Sequence, residues 1–233
     1  MTRAKNISIS ISARTSSLLL CLLLATAANA QLRLPKFLAA LKDSTAFFQG
    51  VAVSADLVGP AQLWLSDYGH YQAELRVNLK GHYFPVVEVG LGKADKEDDV
   101  TGIRYSTSAP YGKVGLDVNL LKDKHDVYRF YAGGRYAYTS FKYDLSAPPV
   151  KDPVYDGKSA YVVEDESCRC HWLEVCAGVD AKVVGPLHLG WSVRYKMRVS
   201  HKEGTVGDPW YTPGYGLTGG SRIGATFHVI LEL

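Results

Sequence analysis

From Leu187 to Val199 the chain alternates without a break. Leu187, Leu189, Trp191, Val193, Tyr195, Met197 and Val199 interleave with His188, Gly190, Ser192, Arg194, Lys196 and Arg198. A period of two places successive side chains on opposite faces of an extended strand. The pattern recurs along the chain and predicts eight strands, at about 47–57, 70–80, 83–91, 111–121, 127–143, 170–184, 187–201 and 221–233. Strand 70–80 sets Tyr71, Ala73, Leu75, Val77 and Leu79 against Gln72, Glu74, Arg76, Asn78 and Lys80. Pro85, which lacks the N–H a ladder needs, predicts an end or a bulge in the third strand.

Connections after the second, fourth and sixth strands are tight: Lys80-Gly81-His82, the charged run 122–126, and Gly185-Pro186. Those after the odd strands are longer. They comprise GPAQLWLSDYG, the acidic stretch 93–110, a proline-bearing segment from 144 to 169, and a Gly/Pro-rich segment 202–220. An even strand count with long and short connections in alternation predicts an all-β fold, an eight-stranded antiparallel up-and-down transmembrane β-barrel over 47–233. Val58-Gly59-Pro60 and Val184-Gly185-Pro186 look like an internal echo, but this topology puts them at opposite ends, so they are read as convergent turn chemistry.

Two barrel types share this pattern with opposite polarity. A soluble barrel turns its apolar face inward, and an outer-membrane barrel turns it to lipid around a polar lumen. Three features favour the second. The polar faces mix both charge signs with glycines, a composition suited to pairing inside a narrow barrel. The apolar faces are long: about ten residues at 3.3 Å each, tilted near 40°, cover roughly the 25 Å of an outer-membrane band. The 15 tyrosines gather near strand ends. Tyr68, Tyr71, Tyr83, Tyr111, Tyr128, Tyr138 and Tyr143, with Trp172 and Trp210, are assigned to interfacial girdles. Inward charges then form a lumen network of Glu74, Arg76, Glu88, Asp117, Arg129, Arg135, Glu174, Asp180, Lys182, Arg194, Lys196 and Arg198, read as a salt-bridged plug. Lys113 and His228 share the polar face.

The start of the chain changes the charge picture. Arg3, Lys5 and Arg14 precede the apolar run 18–25, and Ala28-Asn29-Ala30 forms an A-x-A site. Residues 1–30 are therefore expected to be a signal peptide. Residues 31–46, with Leu34, Leu38 and Leu41 on one face, are expected to be a linker or short helix. The chain has 26 Lys and Arg against 23 Asp and Glu. Without the leader's three basic residues the balance is neutral, which removes charge as an argument for nucleic-acid binding.

Cys168, Cys170 and Cys176 follow the leader. C-x-C-H is not a zinc spacing and no second ligand pair follows, so the expectation is free thiols or a loop-edge disulfide. Ser200-His201 is poorly disposed for catalysis, since adjacent strand residues face opposite ways. The acidic run Asp95, Glu97, Asp98, Asp99 lacks EF-hand spacing and is read as a solvated loop. No metal, cofactor or catalytic residue is expected.

The segments GVAVSADLVGP, LRVNLKGHYFPVVEVGLGKAD, NLLKDKHDVYRFYAGGRYAYTSF and GPLHLGWSVRYKMRVSHKEG resemble an uncharacterised outer-membrane β-barrel family of Bacteroidota-type bacteria, classed as a domain of unknown function. In size the chain is loosely OmpX-like. The resemblance implies a bacterial cell outer-membrane location and brings no catalytic residues. The final Leu233 departs from the aromatic residue that often ends such barrels. The expected role is structural or surface-interaction, as a monomer. Outer-membrane lipid, lipopolysaccharide and the assembly machinery are the partners, and nucleic acid is not one. The alternatives are a lipid-modifying enzyme of the outer membrane and a soluble periplasmic barrel that binds an apolar ligand.

Overall fold

The computed structural model describes residues 47–121, 127–151, 158–202 and 204–233. The segments expected to be a signal peptide (1–30), a linker or short helix (31–46) and a turn (122–126) lie outside the described residues. Eight long strands close into one barrel: β1 (Phe48–Asp56), β2 (Tyr68–Leu79), β3 (Tyr83–Glu97), β4 (Arg104–Asn119), β5 (Tyr128–Lys151), β6 (Lys158–Val184), β7 (Leu187–Lys202) and β10 (Ser221–Glu232). Each is antiparallel to its chain neighbour, and β1 pairs with β10 to close the ring, with Ala52 opposite Glu232 and Asp56 opposite His228. Two short strands, β8 (Tyr211–Thr212) and β9 (Gly216–Leu217), form a hairpin within the last long connection. A helix, α1 (Val58–Leu65), follows β1. Among the described residues no helix is long and apolar enough to cross a membrane.

The two-residue period sets the sides of the wall. On β7, Trp191, Val193 and Tyr195 are exposed while His188, Ser192 and Arg194 are buried. The same alternation leaves Leu75, Val89, Val114, Tyr136 and Val175 exposed around the outside. The inside holds Glu74, Glu88, Lys113, Arg135 and Glu174.

Several connections differ from the sequence expectation. The acidic stretch is mostly strand: β3 runs to Glu97 and β4 begins at Arg104, so only 98–103 turn. In that turn the Asp98 carboxylate accepts bonds from the backbone N–H groups of Val100 and Thr101 and from the Thr101 hydroxyl, which hold it below the usual carboxylate range. In the described parts of segment 144–169, β5 likewise runs on to Lys151 and β6 begins at Lys158, paired with irregular register near Tyr143/Leu145 and Ala147/Val150. Polar sequence there hides strands that rise beyond the apolar band, because their outer face is polar and several of their buried inward residues, such as Gly92, Ala94 and Thr107, are small or polar. Pro85 causes no bulge against β4, where it pairs in register with Leu116. On the β2 side the ladder skips from Val86 to Tyr83, so the missing N–H has no partner to deprive.

The segment read as a loop after β1 contains α1. Asp56 accepts bonds from the N–H groups of Val58 and Gly59, two of the orphan donors at a helix start. The helix lies against the beginning of β2 through facing glycines. A Cβ on Gly69 would meet the Gly59 carbonyl at 2.7 Å, and one on Gly59 would strike His70. α1 thus occupies the wall position beside β2 that β1 vacates at Asp56.

Candidate functional site

The barrel interior concentrates the chain's buried charge. Five acids, Glu74, Glu88, Asp117, Glu174 and Asp180, and four cations, Arg76, Lys113, Arg135 and Arg194, are each at most 3% exposed. The register brings them together from six strands: Glu88 sits opposite both Glu74 and Lys113, and Arg135 opposite Glu174.

Arg194 is the hub on the β7 side. Its guanidinium donates to Glu88 at 2.7 and 2.9 Å, lies 3.5 Å from Glu174, and reaches His228 Nε2 at 3.3 Å. Arg135 grips Asp117 with two nitrogens, at 2.9 and 3.0 Å, and also donates to Glu88 and to Cys176 Sγ. Lys113 Nζ bridges Glu174 at 3.0 Å and Glu88 at 3.3 Å. Arg76 binds Asp180 at 2.6 Å and Glu74 at 2.9 Å, with its guanidinium over the Tyr131 ring. Bidentate guanidinium–carboxylate contacts are the strongest geometry for such pairs. A closed eight-strand barrel has an interior just wide enough for side chains to fill.

Small residues make the room. Gly133 stands opposite Asp117 on the neighbouring strand, and a Cβ there would collide with the Asp117 carboxylate and the Leu116 carbonyl. Gly133→Ala is therefore expected to lower the unfolding free energy by about 1–3 kcal/mol through overpacking, measured as an earlier denaturant midpoint. An unchanged midpoint would show that the acid has room to move.

The sequence-derived set is not all of one cluster. Glu74, Arg76, Glu88, Asp117, Arg135, Glu174, Asp180 and Arg194 meet at the centre. Lys196 sits above them, its Nζ 4.0 Å from Glu174. Arg129 is half-buried at the short-turn end, where it pairs with Glu232 and lies 3.7 Å from Asp180. Two assignments need correction. Lys182 is exposed, because the β6–β7 register shifts between Lys182 and Val184 where the strands leave the barrel. Arg198 pairs with Asp208 of the last long connection at 3.0 Å, since β7 has by then risen above the central cluster. Lys113, left out of that set, is a full member, and its alternation with Val114 and Leu116 had already marked it as inward.

The girdle assignment also needs correction. Tyr71, Tyr128 and Tyr138 are exposed on the outer wall. Trp172, Tyr111 and Tyr143 are buried inside. Trp172 shares the parity of Glu174, to which its Nε1 donates at 2.7 Å. These rings belong to a second layer that closes the mouth, the end bearing the long connections. The Gly/Pro-rich connection folds down into this layer. Tyr211 donates to the Gly69 carbonyl and accepts from Tyr105 through its own carbonyl. Tyr215 packs edge-on against Trp172, with centroids 5.8 Å apart.

Cys168, Cys170 and Cys176 are free and buried on the inward face of β6. His201 lies 2.8 Å from Asp208, and the adjacent Ser200 is exposed. Among the described residues no group of His, Cys, Asp and Glu could hold a metal ion.

A family model described as a domain of unknown function, DUF6048, matches residues 9–232. The chain belongs to the DUF6048 family. None of the curated proteins compared with this DUF6048 chain matches it. Among solved structures it is similar to CarO2 of Acinetobacter baumannii, at 12% identity and a TM-score of 0.40 over 82% of this chain and all of that one. Neisserial surface protein A is similar at 13% identity and a TM-score of 0.38, over 82% of this chain and all of that one. The N-terminal β-barrel domain of Pseudomonas aeruginosa OprF is similar at 12% identity and a TM-score of 0.34, over 80% and 99% of the two chains.

Proposed function

We propose that this DUF6048 protein is an integral barrel of the bacterial outer membrane, with a structural or surface-interaction role and no catalysis. One observation carries the proposal: the barrel is inverted relative to a water-soluble one. Its outer wall presents a continuous belt of exposed Val, Leu and aromatic side chains, and its interior holds the buried cluster of Glu74, Glu88, Asp117, Glu174 and Asp180 with Arg76, Lys113, Arg135 and Arg194. A belt of that extent matches the apolar band of a membrane barrel and far exceeds the patches that soluble monomers expose. Along the paired length of the wall the closed ladder satisfies the backbone, which lipid cannot do. The β3–β4 and β5–β6 hairpins continue past the belt and carry exposed ion pairs, Arg104–Asp95 and Lys142–Asp165, so they offer polar surface at the mouth.

On this proposal the implied partners are outer-membrane lipid, lipopolysaccharide and the assembly machinery, with the barrel a monomer. The central ion-pair cluster acts as a plug, not as a conduction path. The protein refolded in detergent is expected to migrate differently on a gel with and without boiling, and to give no large current steps in a planar bilayer. Identical migration from a carbonate-soluble fraction would overturn the membrane placement. Large single-channel steps would overturn the plug.

A further inference from the structure

Among the described residues the barrel wall has a seam that no ladder closes. β1 leaves β10 at Asp56, opposite His228, and the last backbone bond across this boundary runs from Leu57 N–H to the Phe227 carbonyl. Above it, Ser221–Thr226 of β10 pair with β7 on one side and have no strand partner on the other among the described residues. α1 fills the wall next to β2, and a cavity of about 560 Å³ lies between the helix and β10. The seam is level with the apolar belt: Ile223 is opposite Tyr195 and Ala225 opposite Val193, both exposed on the outer wall.

The cavity is amphipathic along one direction. Its outer end is built from Val58, Ala61 and Leu65 of α1 and Ile223 and Ala225 of β10. Its inner end holds Lys196, Lys113, Arg194 and Arg222, and no described Asp or Glu lines it. Lys196 Nζ finds its nearest oxygens in the carbonyls of Gly214 and Tyr215, at 2.7 and 3.2 Å, and Arg222 is likewise held by the carbonyls of Leu217 and Thr218. These two cations are thus coordinated mainly by neutral oxygens. Gln72, 6% exposed, also lines the cavity. Its Oε1 accepts from Tyr111, while its Nε2 is buried with no partner. A buried donor left unpaired in a cavity that cations also line can take an acceptor from a ligand.

We propose that this seam is a binding site for a single-chain amphiphile with an anionic oxygen head. The head accepts from Lys196 and Gln72 inside the wall, and the chain passes between Ala61 and Ala225 into the apolar belt. The site rests on the membrane placement proposed above. Fatty carboxylates and monoacyl phosphates share this chemistry.

The full protein in neutral detergent is titrated with dansylaminoundecanoate, and binding is followed by dansyl fluorescence. Saturable binding is expected, competed by a fatty acid or by lysophosphatidate; the stronger competitor identifies the natural head. Lys196→Gln and Ala61→Trp are each expected to weaken binding about tenfold or more, the loss of one charge-assisted contact or of the chain's path. Ala61 is on the exposed helix outside the central cluster, so Ala61→Trp decides the matter if Lys196→Gln does not fold. Equal binding of the neutral dansyl alcohol, competition by inorganic phosphate as effective as that by the amphiphiles, or unchanged affinity in Ala61→Trp would overturn the site. Vesicle flotation after a carbonate wash is run in parallel. A barrel that floats but does not bind overturns the site alone, and one that does not float overturns the membrane placement.

Discussion

Replacing Glu88 by alanine is expected to cost the barrel about 3–5 kcal/mol of stability, read as a large fall in denaturant midpoint and loss of the compact band on unboiled gels. Glu88 is fully buried and takes contacts from three cations, Arg194, Arg135 and Lys113. Its removal leaves those cations facing one another with four acids in place of five. The cost comes from the uncompensated charge, not from the lost methylene volume. Two controls separate these causes. Glu88→Gln keeps the shape and loses the charge, and should fall nearly as far. Glu88→Leu combined with Arg194→Met removes charge from both signs, and should be less damaging than the two single changes added together. Additive losses in the double variant would show that the two side chains act independently, contrary to their 2.7 Å contact. A midpoint for Glu88→Ala within error of the parent would mean that water reaches the interior and screens the cluster.

How much of this was visible in the sequence follows from where the physics imposes a pattern. Strand count, pairing order and the inward parity of Glu74, Glu88, Arg135, Glu174 and Arg194 all follow from the two-residue period, because one face of each strand is apolar. Where the outer face turns polar and the inward residues are small, as at Gly92 and Ala94, the apolar period fades, and the rise of β3 to Glu97 and of β5 to Lys151 is not legible. Trp172 shows a different failure. Its parity follows from Glu174, but residue type alone points a tryptophan near a strand end to the interface, whereas its indole N–H reaches a carboxylate inside. α1 was hidden because Gly59 and Pro60 read as turn residues, whereas Gly59 is required by the close approach to His70. The infolding of Tyr211 and Tyr215 depends on contacts with Gly69, Tyr105 and Trp172, distant in sequence, and no local signal encodes it. The seam inherits that limit, since it exists only where β1 gives way to a helix.

Placing an arginine at Val193 tests the outer wall with the opposite logic. Val193 is exposed near the middle of β7, between Ala177 and Ala225 on its neighbours, and points away from the Arg194 cluster. In lipid an arginine at mid-depth of a barrel wall costs about 2–4 kcal/mol, falling to about 0–1 near the interfaces. In water an exposed substitution of this kind stays within about 0.5 kcal/mol. Val193→Arg is therefore expected to destabilise the barrel by about 2–4 kcal/mol in vesicles, and Val199→Arg, higher on the same face toward the mouth, by much less. The depth dependence is the informative part. A merely packed protein surface has no reason to penalise the charge at Val193 and tolerate it at Val199, since both side chains are about half exposed. Equal and small effects at both positions, measured by reversible unfolding from vesicles, would put the wall in water. The exposed belt of Leu75, Val89, Val114 and Val175 would then have to be covered by protein instead of lipid.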